Sequence, residues 1–380
     1  MPRILYIGQA PNQGTGSPTI LLRHLSRLST EGWTVDVVPE WGDDIHAIQE
    51  LGWHVHSLIH RQRWWPPLPI KFETTRRIAV YLWARWLAKN INPAPDAILC
   101  YLAWHTDLYC EIASQLGRLT GIPVTCLIHD DAVDFEQNKG RERILRKRQA
   151  RILRHNHRNW FVSEAQALEM APKNASMEVL PPIPEGTSSK VTRWRDSFRN
   201  RPSLYYAGYL WPAQARLLRS LAPRLQAAGA ELVIMGKLTP EIRELVEKGM
   251  ARHQPFFPTN REALSHLEES AAGLIVSYTH EIAELPWTRT SMPSKLIEYA
   301  FLGIPIAVIA PEGTSIMQWA RSKMIKSAFN PSEHAQIQEW TSLLKNPESW
   351  HLLASEWKTF ADGEWSPNRI QARFSADLLR

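Results

Sequence analysis

The stretch that decides the fold is Ser291-Met292-Pro293-Ser294-Lys295-Leu296-Ile297-Glu298-Tyr299-Ala300-Phe301-Leu302-Gly303-Ile304-Pro305-Ile306-Ala307-Val308. Its first part predicts a short helix that starts at a proline, because proline fixes φ and needs no amide partner in a first helical turn. Its last part is apolar and predicts a buried strand. Helix followed by buried strand is the repeating unit of a parallel sheet.

The polar residues of this predicted helix fit an anion site. The N–H groups after Pro293 lack helical partners and attract anions such as a diphosphate. Lys295 adds a positive charge there, and Glu298 lies one turn further along the face that carries Ser294 and Lys295. Its carboxylate can accept two hydrogen bonds from a diol such as ribose. The alternative is a capped helix with Lys295 and Glu298 as solvated charges.

This stretch resembles the carboxy-terminal sugar-nucleotide motif of the retaining glycosyltransferases of the GT-B fold, in its form P-S-K-x-x-E-Y. A weaker resemblance extends over most of the chain. It implies that Glu298 holds the ribose of the donor and that Pro293, Ser294 and Lys295 face its phosphates and sugar. The family commonly has a second acid eight residues before the glutamate, where this chain has Thr290. The usual contact to the donor sugar is therefore altered.

Length and composition indicate a globular protein of about two domains, since the chain has 380 residues, 44% of them hydrophobic and 22% charged. The net charge of +6 and the pI near 9.2 favour anionic partners without choosing among nucleotides, phospholipid surfaces and nucleic acid. Cys100, Cys110 and Cys126 have no metal-ligand spacing in the sequence. They predict reduced, structural thiols in a cytosolic protein.

The sequence contains no run of the eighteen or so apolar residues that would span a bilayer. The first residues, Ile4-Leu5-Tyr6-Ile7-Gly8, are typical of a strand rather than of a signal peptide. We therefore expect a cytoplasmic protein whose mature form begins where the sequence does, with peripheral contact to the inner face of the membrane as a further expectation.

Apolar runs and longer amphipathic runs alternate along the chain, which predicts parallel sheets with crossover helices. The first series of strand-like runs covers residues 4–7, 34–38, 97–102, 124–128 and 160–162, and the second covers 203–206, 231–235, 273–276 and 304–309. A segment rich in proline and small polar residues, 180–189, separates the two series. The prediction is an α/β protein of two facing, Rossmann-like doubly wound domains, with a ligand at the carboxyl ends of the strands.

The predicted domain limits are 1–182 for the acceptor-side domain, 183–200 for a linker and 201–360 for the nucleotide-sugar domain. The tryptophan-rich end of the chain is helical in character. The family resemblance implies that its final segment, 361–380, crosses back to the first domain.

A glycine-rich loop, Gly14-Thr15-Gly16-Ser17-Pro18, follows the first predicted strand. Glycines there let backbone amides approach a phosphate, and the serine and proline can start a helix. The loop does not have the spacing of the dinucleotide or P-loop fingerprints. It resembles the GT-B loop that faces the donor diphosphate, which makes Gly14, Thr15 and Gly16 candidate donor-binding residues. An ordinary strand-to-helix turn is the alternative.

His129-Asp130-Asp131 follows a predicted strand, so the histidine is expected at the carboxyl edge of the sheet. The family has a histidine there that contacts the donor sugar, and the resemblance makes His129 a catalytic candidate beside Glu298 and Lys295. A structural histidine is the alternative. No second acidic cluster accompanies the two aspartates in the sequence, so we predict no catalytic metal. Ser163 with Gln166 three residues later predicts a helix cap.

The segment Tyr206-Ala207-Gly208-Tyr209-Leu210 matches the first strand of the family's second domain. The family follows that glycine with an arginine and, five residues later than the arginine, a lysine, and both neutralise the diphosphate. This chain has Tyr209 and Gln214 at those places. Lys295, helped by Lys237 or Arg289, is left to balance the phosphate charge.

Two further donor contacts are implied by the resemblance. Gly236 and Lys237 end another predicted strand of the second domain, and Phe256 lies where the family's chain passes the nucleobase. Packing of Phe256 in the core is the alternative.

Tryptophan and arginine are interleaved between residues 61 and 89, where Trp64, Trp65, Arg76 and Arg77 are candidates for a membrane-interface contact. Together with the basic run 141–158, the pattern also admits nucleic-acid binding. The third possibility is a domain helix with core tryptophans and solvated arginines. Of the three, we do not expect nucleic acid.

With the family resemblance, the sequence predicts a metal-independent, retaining glycosyltransferase. It would move a sugar from a nucleoside-diphosphate sugar, a UDP sugar being the first expectation, to an envelope or exopolysaccharide acceptor that can be lipid-linked. No other cofactor is expected. A sugar-nucleotide epimerase of the same fold and a catalytically silent nucleotide-binding scaffold are the alternatives.

Overall fold

The computed structural model describes residues 1–12, 16–40, 43–56, 72–103, 106–136, 138–186 and 192–378. The chain divides into two compact units, one of residues 1–183 with 368–380 and one of residues 184–367. The predicted returning segment began at 361. In the structure it begins at Asn368, because the preceding residues belong to a continuous helix and a tryptophan cluster of the second unit.

The described residues of the first unit form a parallel sheet of seven strands. They are β1 (Arg3–Gly8), β2 (Thr34–Pro39), β3 (His54–Val55), β4 (Ala97–Leu102), β5 (Val124–Ile128), β6 (Arg158–Phe161) and β7 (Glu178–Val179). Their order is β3-β2-β1-β4-β5-β6-β7, so the order reverses between β1 and β4. In such sheets, ligands bind beside the carboxyl ends of the strands at the reversal.

Six helices of the first unit connect these strands within the described ranges: α1 (Ser17–Thr30), α2 (Ile45–Glu50), α3 (Glu73–Asn90), α4 (Asp107–Thr120), α5 (Lys139–His155) and α6 (Glu164–Met170). They cover the sheet on two sides, because alternate strand residues point to opposite faces. Ile4 and Tyr6 of β1 belong to one apolar core, and Leu5 and Ile7 belong to the other.

The second unit repeats this architecture with six described parallel strands: β8 (Ser203–Ala207), β9 (Glu231–Met235), β10 (Ala251–Gln254), β11 (Gly273–Ser277), β12 (Ile306–Ile309) and β13 (Ala328–Phe329). Their order is β10-β9-β8-β11-β12-β13, with the reversal between β8 and β11. Its helices are α7 (Ser197–Asn200), α8 (Pro212–Ala227), α9 (Pro240–Glu247), α10 (Asn260–Ser270), α11 (Ser294–Ala300), α12 (Ser315–Ser322), α13 (His334–Leu343) and α14 (Pro347–Asp362).

The tryptophans near the end of the chain build much of the second core. The rings of Trp319, Trp357 and Trp365 stack on one another, and the Trp357 indole N–H donates to the carbonyl of Ile306 in β12 at 3.0 Å. The last helix, α15 (Pro367–Leu378), packs on the first unit, where the Phe374 and Trp160 ring centroids lie 4.9 Å apart.

No helix within the described ranges is both long enough and apolar enough to cross a membrane. The strand predictions at 97–102, 124–128 and 231–235 are confirmed to the residue. The predicted strand at 304–309 begins two residues later, at Ile306, since Pro305 precedes it without an amide for the ladder.

Candidate functional site

Lys295 lies in the first turn of α11, and its ammonium group extends to the end of β8. Its Nζ donates to the Tyr206 hydroxyl at 3.3 Å and to the Tyr209 carbonyl at 3.4 Å, and it sits 4.7 Å from the centre of the Tyr206 ring. Burial lowers the pKa of Lys295 to about 8. Within the described part of the chain, this half-buried cation has no ion pair.

The glycines at the ends of β8 and β9 give this ammonium group its space. A Cβ on Gly208 would lie 2.5 Å from both Cε and Nζ of Lys295, and Gly208 has a φ of +117° that side chains rarely adopt. A Cβ on Gly236 would lie 2.7 Å from the Gly208 carbonyl oxygen and 3.5 Å from the Phe256 ring. The structure therefore brings together Gly208, Gly236, Phe256 and Lys295, which the sequence predicted separately.

Glu298 occupies the next turn of α11, three residues after Lys295, and is half-buried. Its carboxylate accepts a hydrogen bond from the backbone N–H of Glu185 at 3.4 Å. Pro293 is the N-cap of α11 rather than its first helical residue, and its carbonyl accepts the N–H of Leu296 at 3.1 Å. Ser294 is the first residue of the helix, so the helix start is confirmed and shifted by one position.

The start of α11 is held by buried tyrosines. Tyr299 donates to the Ala207 carbonyl of β8 at 2.9 Å, and Tyr278, which follows β11, donates to the Ser291 carbonyl at 3.1 Å. These contacts fix the helix start beside the reversal between β8 and β11. The side chains of Lys295 and Glu298 are thus presented at the place where such a sheet binds ligands.

The two positions that depart from the family pattern have different structural roles. Gln214 is buried in α8 and holds its cap, since its Oε1 accepts the Trp211 N–H at 3.1 Å and its Nε2 donates to the Ser277 carbonyl at 2.9 Å. Tyr209 is 59% exposed. One position is therefore structural, whereas the other presents an aromatic ring to solvent. Thr290, at the position of the missing acid, is buried.

Phe256, the candidate for a contact to the nucleobase, lies beside Gly236 at the end of β9. Phe256 is 54% exposed, so the alternative that it packs in the core is wrong. Its neighbour Phe257 instead packs on His266, with ring centroids 5.0 Å apart. Lys237 is exposed after β9, and the His253 ring bonds to the Gly236 carbonyl at 2.8 Å.

His129 follows β5 in the first unit, at the carboxyl edge where the sequence predicted it. It is buried, with its ring edge-on to Tyr101 at 5.3 Å, and burial lowers its pKa to about 4. Gln166 donates to the His129 carbonyl at 3.2 Å and accepts the Val162 N–H at 3.1 Å, and Ser163 caps the helix as predicted. His129 is therefore a neutral imidazole near pH 7, with its backbone held by Gln166.

Three carboxylates, those of Asp131, Asp134 and Glu169, have oxygen atoms within 4.8 Å of one another. The sequence did not indicate this grouping because Glu169 is distant along the chain. Arg146 forms ion pairs with Asp131 and, at 3.2 Å, with Glu169. A guanidinium therefore supplies positive charge to this cluster. The absence of a catalytic metal stays a prediction.

Several predicted positions lie outside the described residues or outside the site. Gly14 and Thr15 are not among the described residues, nor are Trp64 and Trp65. Gly16 is the N-cap of α1, exposed, with a φ of +64°.

The prediction that Arg76 contacts a membrane surface is wrong. Arg76 is 6% exposed and pairs with Asp107 at 2.9 Å and with Glu111 at 2.6 Å. A buried guanidinium bound by two carboxylates is part of the helix packing. Arg77, the next residue on α3, is exposed.

Two features were not predicted from the sequence. The sulfur atoms of the three buried cysteines lie within 4.8 Å of one another, because β4, α4 and β5 are neighbours in the fold. Cys110 donates to the Tyr101 carbonyl at 3.2 Å. Glu40, directly after β2, has its pKa raised to about 8 by burial and by the charges of Asp43 and Asp107. No motif marks either feature.

Comparison with solved structures identifies the architecture. HepE from Anabaena, solved in complex with UDP-glucose, is 12% identical, with 99% of each chain covered and a TM-score of 0.65. The lipopolysaccharide outer core galactosyltransferase WaaB is 15% identical, with 98% of this chain and 99% of WaaB covered and a TM-score of 0.63. The α,α-trehalose 6-phosphate synthase from Burkholderia multivorans is 12% identical, with 100% and 96% covered and a TM-score of 0.59.

No family model and no curated protein matches the chain. At these identities, the similarity to the solved structures establishes the fold. The chain has the GT-B fold of two Rossmann-like α/β domains, which confirms the fold class predicted from residues 291–308.

Proposed function

We propose that this protein is a glycosyltransferase that transfers a sugar from a nucleoside-diphosphate sugar, a UDP sugar, to a carbohydrate or lipid-linked acceptor of the cell envelope or exopolysaccharide. The observation that carries the proposal is Lys295, a half-buried ammonium without an ion pair in the described structure, at the strand-order reversal of a GT-B domain. Burying a charge without a partner costs free energy. A bound diphosphate would supply the anion that pairs with Lys295, and binding it is the function that we assign to this residue.

Each residue around Lys295 has a role in this reaction. Lys295 neutralises the diphosphate and stabilises the charge that grows as it leaves, which is commonly the largest catalytic contribution. Gly208 and Gly236 keep the phosphate region free of side chains. Glu298 accepts hydrogen bonds from the ribose hydroxyls, and Phe256 offers an exposed ring to the base.

His129 contributes as a neutral group, because its lowered pKa keeps it unprotonated near pH 7. A neutral imidazole can donate and accept hydrogen bonds without adding charge. We assign it to the transferred sugar or the acceptor hydroxyl. Following the family resemblance, we propose a reaction without a metal and with retention at the sugar.

The first test is thermal unfolding with UDP, GDP, ADP and CMP, each added separately at millimolar concentration. A nucleotide at one hundred times its dissociation constant stabilises the folded state by about 2.7 kcal/mol, which raises the Tm by a few degrees. We expect UDP to give this shift with the wild-type protein. The variants Lys295→Met and Glu298→Ala should not show it. Lys326→Met, which removes an exposed lysine of the same unit, is the matched control.

Transfer activity is measured next with the UDP sugar of the bound nucleotide class. Glu298→Ala should lower kcat/KM about a hundred-fold or more, because two hydrogen bonds to a charged acceptor are lost. Normal turnover of Glu298→Ala would remove that residue from the site. A wild-type protein that no nucleotide stabilises would overturn the proposal.

A catalytically silent nucleotide-binding scaffold is the second candidate, favoured by Tyr209, Gln214 and Thr290 at positions where the family has charges. It predicts UDP binding without transfer to any acceptor. An epimerase would instead change the free sugar nucleotide with no acceptor present. Product analysis of one reaction mixture separates these three activities.

We also propose contact with an anionic membrane surface through α3 and α5. Ile78 and Tyr81 of α3 are exposed, and Arg85 follows at a spacing that shares their helix face. Exposed arginines and lysines of α5 add positive charge, and apolar and basic groups together favour such interfaces. Sedimentation with phosphatidylglycerol vesicles, and none with phosphatidylcholine vesicles, is the expected result.

A further inference from the structure

Four aromatic side chains form a connected row at the carboxyl edge of the second sheet. The Tyr209 and Trp211 rings meet edge to face with centroids 5.4 Å apart, Trp211 lies 6.2 Å from Trp287, and Trp287 lies 5.5 Å from Tyr278. Tyr278 is buried, whereas Tyr209 is 59% and Trp211 36% exposed. The row thus runs from the core to solvent.

The backbone that carries the exposed end is held by specific hydrogen bonds. The Tyr209 carbonyl accepts from the Tyr206 hydroxyl at 2.8 Å, as well as from Lys295. The Trp211 N–H donates to Gln214 at 3.1 Å. The two rings therefore project from fixed positions, as a rigid aromatic binding surface requires.

The hydrogen bonding within this row is incomplete. The Trp287 indole N–H is buried and has no hydrogen-bond partner within the described residues. Unsatisfied donors of this kind cost stability and are rare in cores. Tyrosine and tryptophan side chains that are exposed side by side are typical of binding surfaces.

The row begins beside the proposed phosphate position. The Tyr209 carbonyl lies 3.4 Å from the Lys295 ammonium group, and Trp287 precedes the segment that starts α11. Phe256 lies by Gly236, on the β9 side of Gly208, whereas the row lies on the β8 and β11 side. A diphosphate at Lys295 would therefore have one ring available for its base and a separate aromatic surface for its sugar.

We propose that Tyr209 and Trp211, supported by Trp287, form a stacking subsite for the pyranose ring of the donor sugar. This inference rests on the proposed function and adds to it the residues that recognise the sugar. The apolar C–H face of a pyranose packs on the flat rings, while its hydroxyl groups stay solvated or bind polar groups. Aromatic surface thus replaces the hydrogen-bonding contact to the donor sugar that the family makes through the acid missing at Thr290.

The test compares the affinities of UDP and UDP-glucose by calorimetry in wild type, Trp211→Ala and Tyr209→Ala. We expect each substitution to weaken UDP-glucose about five- to ten-fold and UDP less than two-fold. Trp211→Phe and Tyr209→Phe, which keep an aromatic ring, should retain most of the UDP-glucose affinity. Phe256→Ala should weaken both ligands equally, because it removes the contact to the base.

Leu352→Ala, which truncates an exposed apolar side chain elsewhere in the second unit, is the matched control. If Trp211→Ala lost equal affinity for UDP and UDP-glucose, the aromatic row would contact the base. If neither affinity changed, the row would serve packing alone. Either result would overturn the proposed sugar subsite. Failure of the proposed function would give a different result from failure of the subsite. The wild-type protein would then bind neither UDP nor UDP-glucose, and Lys295→Met would leave the calorimetric signal unchanged.

Discussion

Arg76 of the first unit and Lys295 of the second are both cations withdrawn from solvent, yet their surroundings differ. Arg76 is paired with two carboxylates, Asp107 and Glu111, within a network to which Arg148 and Arg151 also belong. Lys295 has a hydroxyl, a carbonyl and an aromatic ring, and no carboxylate pairs with it in the described structure. The paired cation serves packing, and the cation without an anion is the one that we propose binds the diphosphate.

The same contrast appears in the pKa values of the two environments. Burial alone would raise the pKa of Glu73, but hydrogen bonds from Arg151 and Arg148 lower it to about 2, so that network favours its charged form. Burial lowers the pKa of Lys295 to about 8, so its surroundings disfavour its charge. A bound diphosphate would reverse that preference.

The largest expected effect comes from neutralising the paired cation. Arg76→Met should lower the free energy of unfolding by about 3 kcal/mol, because Asp107 and Glu111 lose their most buried cation and keep Arg148 and Arg151 as partners. Lys295→Met should leave stability unchanged or raise it, since no anion is left unpaired. Urea unfolding of both variants without ligand measures the difference. Equal destabilisation of the two would break the comparison.

A smaller effect on stability is expected when His129 is protonated. His129 adds to the comparison of Arg76 and Lys295 a buried group that stays neutral. Its folded pKa of about 4 lies below the ordinary value of 6.5. The stability that it supports is fully present above pH 6.5 and is lost as the pH falls towards 4, because the unfolded state binds the proton first. At pH 5, this loss is about 2 kcal/mol.

His129→Gln should therefore remove about 2 kcal/mol of the difference in unfolding free energy between pH 7.5 and pH 5. His24, also buried and with its pKa lowered to about 3, remains in that variant and keeps its own share. Unfolding curves of wild type and variant at the two pH values test this. Identical pH dependence would mean that His129 is not held neutral by burial.

The smallest effect concerns the space around Lys295. Gly208→Ala should cost about 1 kcal/mol more stability than Gly249→Ala. Both residues have positive φ, but only a Cβ at 208 meets the Lys295 side chain, whereas open space surrounds Gly249. Gly208→Ala should also weaken UDP binding, and Gly249→Ala should not. Calorimetry and thermal unfolding of the two variants provide the readouts.

Local patterns predicted most of the fold because the apolar runs are long. Strands β4, β5 and β9 matched their predicted limits, whereas β3, β7 and β13 have two residues each and were not predicted. Two residues carry no periodicity, and such strands form only because a neighbour offers its backbone groups. Strand β10 was not predicted either, because its sequence Ala251-Arg252-His253-Gln254 is mostly polar.

The candidate site could be predicted where it depends on one local motif. Pro293 is the N-cap of α11, and Glu298 lies on the same helix face as Ser294 and Lys295 because residues three and four positions apart are neighbours on a helix. The burial of Arg76 could not be predicted, since the two carboxylates that hold it belong to another helix, α4. The roles of Gln214 as a cap and of Tyr209 as an exposed ring likewise depend on neighbours from β8 and β11.

By itself, the sequence determined the alternation of strands and helices and the helix that carries Lys295 and Glu298, because these follow from apolar periodicity, proline and charge spacing over a few residues. The GT-B fold class was implied by the resemblance of residues 291–308 to a family motif. Only the tertiary structure decided which cation is paired, which phenylalanine is exposed and that three cysteines and four aromatic rings meet. Pairing, burial and pKa depend on distances between segments far apart in the chain, which form only when the parallel sheets bring the ends of their strands together.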